Sequence, residues 1–284
     1  MHMNVTAAPI IHPTDFSALS RNAFTHALRI SLAAKCKLYI AHIADRKDAN
    51  EWQSFPHVRQ TLARWGLLEA GASTAAIFER LGIEVAKVEI GSRDPIRGLT
   101  RFLAGHPSDL MVLATQGRDG LPGWFRPSIA EAMSRRARTQ TLFIPGHGAG
   151  FVDSASGELR LRRILIPVDH SPPPVGAIRA IQSFYRMLSA KPDIRILHIG
   201  TDAPVVATVS TPSRRTPVDV PIEVRGGNVV DGILQAATEM GANLIGMATA
   251  GHRGLLDVVR GSTMERVLRQ SPCPVLAIPV SAPP

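Results

Sequence analysis

The sequence predicts an α/β protein made of two tandem, doubly wound parallel sheets, and three observations carry that expectation. Residues 88–120 ("VEIGSRDPIRGLTRFLAGHPSDLMVLATQGRDG") align without a gap on residues 222–254 ("IEVRGGNVVDGILQAATEMGANLIGMATAGHRG"), at a shift of 134 that also lays 141–145 over 275–279. Runs such as "RRILIPVD", "DIRILHIG", "NLIGMATA" and "PVLAIPV" are nearly unbroken in apolar residues, as strands buried on both faces are. Between such runs, stretches like "SRNAFTHALRISLAA" space apolar residues three and four apart, the period of a helix with one buried face. Strand and helix in alternation give a parallel sheet covered on both sides, with right-handed crossovers.

The elements follow in chain order, twice. In the first unit "HPTDFS" (12–17) ends an opening strand, the helix "SRNAFTHALRISLAA" (20–34) comes next, and "YIAHI" (39–43) is the second strand. A long helical segment, "ANEWQSFPHVRQTLARWGLLEAGASTAAIFERLG" (49–82), leads to the third strand. Asp94 is placed to N-cap the helix entering the fourth strand, "DLMVLATQG". The second unit answers with "IPVDHS" (166–171), "RILHI" (195–199) and a matching N-cap, Asn228. Where the first unit has its long helical segment, the second has "TDAPVVATVSTPSRRTPVDVP" (201–221), rich in Pro, Ser and Thr. That composition reads as an irregular loop, so the second unit is expected to lack one helix. The halves meet in "GHGAGFVDSASGELRLRRILIP", a glycine-bearing linker with a hairpin pattern around Ser156-Gly157. The expected domains are therefore 1–150 and 151–284.

Composition bounds the function classes. A chain of 284 residues, 45% hydrophobic and 19% charged, suits a soluble globular protein of one large or two ordinary domains. Cys36 and Cys273 stand in unlike contexts and form no metal or redox motif, so a reduced, cytoplasmic protein without disulfides is expected. No signal peptide is read at the start, and no apolar run reaches the roughly 20 residues of a membrane span. The net charge of +9 suits phosphorylated ligands, nucleic acid or acidic partners, or simply a solvated surface. With no dense basic run and only 5% aromatic residues, no specific nucleic-acid partner is expected.

The opening strands that end in Asp15 and Asp169, the "DLMVLATQG" and "NLIGMATAG" strands, and the closing "GSTMERVLRQSPCPVLAIPV" together resemble the universal stress protein family in its tandem form. The resemblance covers nearly the whole chain. It implies five-stranded domains, universal stress protein-like, that pair across their final strands as a pseudo-dimer within one chain, with a further homodimer open. It also implies a role in stress adaptation and signalling, often through bound ATP. Members of the family that bind ATP carry Gly, two residues, Gly, nine residues, then Gly-Ser/Thr. Here Gly251 and Gly254 are followed by six residues and Gly261-Ser262, three residues short. The first half has Gly117, Gly120, the same six-residue gap, and then Pro127-Ser128.

Glycines at 251 and 254 permit close approach of backbone to ligand. Gly261-Ser262-Thr263 precedes "MERVLRQ", and a helix N-terminus suits phosphate, with Arg253 and Arg260 as added charge. The alternative is a tight turn in which Ser262 merely caps. By resemblance, Asp169 and main chain around Pro167, Val168, Ile199 and Ala250 hold the adenine and ribose end; Asp169 as a helix cap is the other reading. A weaker second site is drawn from Asp15, Gly117, Gly120 and Ser128, because Pro127 removes an amide and Trp124 and Phe125 read as packing. The expected ligand is ATP, with or without Mg²⁺. The rival reading is a nucleotide-free interaction scaffold.

Ten histidines invite a metal reading. His42 and His198 share a strand position and read as packed core residues, while His12, His170 and His252 fall near the crevice rims without metal-ligand spacing. No metal site and no catalytic residue is expected: Gly-x-Ser-x-Gly, paired carboxylates and Cys-His arrangements are all missing. At most slow ATP hydrolysis is allowed.

Overall fold

The computed structural model describes residues 8–44, 52, 57–115, 139–146, 150–204, 220–250 and 262–280. The first half runs β1 (Ile10–Thr14), α1 (Ala18–Ala34), β2 (Leu38–Ala44), α2 (Val58–Arg64) and α3 (Ala75–Leu81). It continues through β3 (Val85–Gly91), α4 (Pro95–Gly105), β4 (Leu110–Thr115) and β5 (Gln140–Pro145). The second half opens with β6 (Arg163–Pro167), α5 (Pro174–Met187), β7 (Asp193–Ile199) and β8 (Ile222–Arg225). It closes with α6 (Val229–Met240), β9 (Leu244–Ala250), α7 (Thr263–Gln270) and β10 (Val275–Val280).

The ten strands among the described residues join one sheet in the order β3-β2-β1-β4-β5-β10-β9-β6-β7-β8. Each half therefore repeats the same doubly wound order, parallel throughout. The halves meet where β5 and β10 pair antiparallel, with Leu276 opposite Leu142. Pairing the two closing strands removes two open sheet edges from solvent.

Buried strand residues alternate between two cores even where the run is wholly apolar. In β4, Leu110, Val112 and Ala114 face the core made by α1 and α5, while Met111 and Leu113 face the one made by α4, α6 and α7. This is the period of two that a continuous apolar run hides in sequence. Gly246 in β9 lets α5 seat closely: a Cβ there would lie 2.3 Å from Ile181 Cδ1.

The caps fall where the sequence places them. Asp94 accepts from the amides of Ile96 and Arg97, and Asn228 from those of Val230 and Asp231. The helical segment 49–82 is not one long helix. It contains α2 and α3, separated by a stretch in which Gly66 and Gly71 take positive φ, 69° and 84°, which ordinary residues adopt only with strain. Most of the expected irregular loop at 201–221 lies outside the described residues.

The junction is a docked hairpin rather than a loose tether. Val152 bridges Leu159, and Gly157 supplies the positive φ of the turn. Val152 N–H donates to His26 Nε2 (3.2 Å), Arg29 Nε to the Gly157 carbonyl (2.9 Å), and Trp65 Nε1 to the Ser154 carbonyl (3.1 Å). Phe151 is fully buried, edge-on to both His26 and Phe184, and so touches α1 of one half and α5 of the other.

Candidate functional site

In the second half β6 leads outward to β7 and β8, while β9 and β10 lie on its other side. Strand order thus reverses between β6 and β9, and the carboxyl ends there bound the crevice such a sheet offers to ligands. Pro167 ends β6, Ile199 ends β7 and Ala250 ends β9. Asp169 stands two residues past β6, exposed, and its Oδ1 accepts from the His170 amide at 2.7 Å.

Ser262 N-caps α7. Its hydroxyl oxygen accepts from the Glu265 amide (3.0 Å), and its carbonyl from the Arg266 amide (3.1 Å). The amides of Thr263 and Met264 stand in the first turn, where a helix offers no internal acceptor, at the positive end of the helix dipole. Gly251, Arg253, Gly254, Arg260, Gly261 and His252 lie outside the described residues. So do Gly117, Gly120, Trp124, Phe125, Pro127 and Ser128 of the first half.

The two aspartates have diverged. Asp15 Oδ1 accepts from the Ser17 amide (3.0 Å) and the Ser20 hydroxyl (2.5 Å), which commits it to the start of α1, where Ser17 is the N-cap. Asp169 has no such task. The helix that follows it begins at Pro174 behind Pro173, with no side-chain cap. Asp15 is therefore tied to the start of α1 beside the Ser17 cap, whereas Asp169 is exposed.

The main chain of Val168 is engaged within the sheet. Its N–H donates to the Leu197 carbonyl (2.8 Å), and its own carbonyl accepts from His198 Nδ1 (3.1 Å). At the end of β8, Arg225 is taken up by Glu223 and Glu239 at 2.6 and 2.7 Å. Those carboxylates hold its pKa above the ordinary arginine value, so its charge is already balanced.

His42 and His198 sit as expected at one strand position, each buried, each with Nδ1 on the carbonyl at the end of the neighbouring strand, Thr14 or Val168. His12 does not lie at a rim. It is wholly buried beside Phe24, with Nδ1 on the Val112 carbonyl, and Nε2 has no partner among the described residues. Burial pushes its pKa down to about 4.

One grouping escaped the sequence. Asp169, His170 and His198 can each offer a donor atom such that all three lie within 4.8 Å of one another. The residues are 28 positions apart in the chain, and only the parallel pairing of β6 with β7 brings them together. The available signal was "DH" at the end of one strand beside a histidine near the end of the next.

A cavity of about 780 Å³ lies elsewhere, between α2, α3 and β3, lined by His57, Arg59, Thr74 and Lys87. The sheet order puts β3 at the opposite edge from β6 to β8, so this space is separate from the crevice.

Fold and strand order thus define a doubly wound α/β protein with a crevice at the carboxyl ends of β6 and β9. The family model described as "Universal stress protein family" matches residues 7–145 and 205–279, and the chain belongs to that family. Among solved structures, a universal stress protein from Archaeoglobus fulgidus DSM 4304 is similar at 16% identity and TM-score 0.59, covering 95% of this chain and 98% of that one. A putative universal stress protein from Pseudomonas aeruginosa UCBPP-PA14 is similar at 15% identity and TM-score 0.57, covering 97% and 94%. A functionally unknown protein from Pseudomonas aeruginosa PAO1 is similar at 14% and 0.57, covering 96% and 92%. At such identities the likeness shows shared fold. No curated protein matches the chain in sequence. Among the described residues no helix is long and apolar enough to cross a membrane.

Proposed function

We propose that the protein is a cytoplasmic stress-response protein that binds ATP or a related adenine nucleotide in its second half. The observation that carries this reading is the start of α7, capped by Ser262 with the first-turn Thr263 and Met264 amides beyond intrahelical bonding, at the carboxyl edge where the exposed Asp169 stands. A helix N-terminus of this kind is a ready anion site. The loop Gly251 to Gly261 would bring further amides and Arg253 to the phosphates, and Mg²⁺ would offset their charge beside Ser262 or Thr263. The second half is favoured over the first because Asp15 already accepts from the Ser17 amide and the Ser20 hydroxyl at the start of α1 and Pro127 stands where the second half has Gly261. Domain pairing along β5 and β10 supplies within one chain what separate subunits supply in single-domain relatives. A further homodimer of such chains belongs to the same reading.

A second reading, a nucleotide-free scaffold for an acidic partner, draws support from Val168, whose N–H and carbonyl are both engaged. One experiment separates the two. Acid extracts of freshly purified protein are assayed for adenine nucleotide, and melting is followed with millimolar ATP and Mg²⁺. A ligand at one hundred times its Kd stabilises by about 2.7 kcal/mol, a rise of several degrees. Gly261→Val should abolish that rise, and Ser128→Ala should leave it. Absence of both nucleotide and shift leaves the scaffold.

A further inference from the structure

We propose that Asp169, His170 and His198 form a binding site for a divalent transition-metal cation of the zinc class, at the carboxyl edge of the second half. The donor set is two imidazoles and one carboxylate, each with an atom within 4.8 Å of the others. That combination suits zinc-like ions rather than the all-oxygen shells that calcium and magnesium demand.

The hydrogen bonds select the right tautomers. A carbonyl oxygen only accepts, so the ring nitrogen facing it must carry the proton. His198 spends Nδ1 on the Val168 carbonyl (3.1 Å), and His170 spends Nε2 on the Asp202 carbonyl (2.7 Å). His198 Nε2 and His170 Nδ1 are thereby left as lone-pair donors. A ligand histidine whose other nitrogen is fixed on a main-chain carbonyl is the usual outer-shell arrangement of zinc sites. Asp169 has one oxygen on the His170 amide (2.7 Å) and a second to give.

His198 is 4% exposed and held by its strand, whereas Asp169 and His170 are exposed. The site thus has one donor held in the core, one anchored at the surface through the Asp202 carbonyl, and an exposed carboxylate. Zinc–nitrogen bonds of about 2.0–2.1 Å in a tetrahedron put donors about 3.4 Å apart, so closure from within 4.8 Å asks for small adjustments of Asp169 and His170 that keep the His170–Asp202 hydrogen bond. Gly200 keeps the space in front of His198 clear: a Cβ there would lie 2.5 Å from Nε2.

The first half is the internal control. His42 makes the same carbonyl bond as His198, to Thr14, so that bond alone belongs to the fold. In place of His170, however, the first half has Phe16, whose ring lies 4.2 Å from that of His42. Only the second half carries the extra imidazole.

The test uses the full chain, stripped with chelator and free of nucleotide, titrated with zinc chloride alone by calorimetry and equilibrium dialysis. Cobalt(II) is added separately to read d–d absorption from a nitrogen-containing site. One equivalent should bind. His170→Ala, Asp169→Asn and His198→Gln should each weaken it at least tenfold and bleach the cobalt bands, while His42→Gln should change neither. Circular dichroism confirms folding, and the first two variants alter only exposed side chains. Retention of full zinc affinity in His170→Ala and Asp169→Asn would overturn the proposal, as would no binding at tens of micromolar zinc. Because no nucleotide is present, either result leaves the ATP experiment independent.

Discussion

Acid should loosen the joint between the two halves through a single imidazole. His26 lies fully buried in α1, with Nδ1 on the Asn22 carbonyl (2.8 Å) and Nε2 accepting from the Val152 amide of the hairpin (3.2 Å). Only the neutral ring can do both; a second proton on Nε2 would oppose the Val152 N–H. Burial pushes its pKa down to about 4 from an ordinary 6.5, the Asn22 carbonyl offsetting this only in part. The folded value is the lower one, so the unfolded chain binds the proton more readily. Stability is therefore complete above the unfolded value and falls as pH drops from about 6.5 toward about 4. Between pH 7 and pH 5 that linkage costs about 2 kcal/mol for His26, rising to about 3 kcal/mol by pH 4. His12, lowered to about 4 by the same desolvation, adds a similar amount. Urea unfolding at pH 7 and pH 5 should show the wild-type chain losing about 4 kcal/mol from the two rings together. His26→Gln should be weaker at pH 7 by about 1–3 kcal/mol, since Val152 loses its acceptor, yet should lose about 2 kcal/mol less on acidification. Asp153, whose pKa is lowered by the Ser156 and Ala155 amides, titrates alike in both chains and cancels. An unchanged acid loss in His26→Gln would refute the reasoning.

Two further outcomes are expected. Asn228→Ala and Asp94→Ala, which remove the caps of α6 and α4, should each lower unfolding free energy by about 1 kcal/mol, measured by chemical denaturation. Both thiols should be silent toward Ellman's reagent at mildly alkaline pH and react on unfolding. Burial raises the pKa of Cys36 and pushes that of Cys273 to about 12, leaving almost no thiolate.

What the sequence determined by itself is what short-range period and local chemistry encode. The duplicated order of strands and helices, the caps at Asp94 and Asn228, and the turn at Gly157 were all legible, because each depends on a few neighbouring residues. The rim position of Asp169 followed from the rule that such sheets bind at their strand ends. Tertiary structure decided the rest. The corresponding aspartates differ: Asp15 binds the Ser17 amide and the Ser20 hydroxyl at the start of α1, whereas Asp169 holds the adjacent His170 amide, because Pro174 stands where Ser20 does. The junction hairpin reads as a linker until His26 and Trp65, more than 80 residues away, are seen to hold it. His170 and His198 look unrelated along the chain, and parallel pairing of β6 and β7 sets them side by side. Hydrophobic pattern places strands and helices in a sheet, but which polar groups meet across it is fixed by register, and register is written in three dimensions.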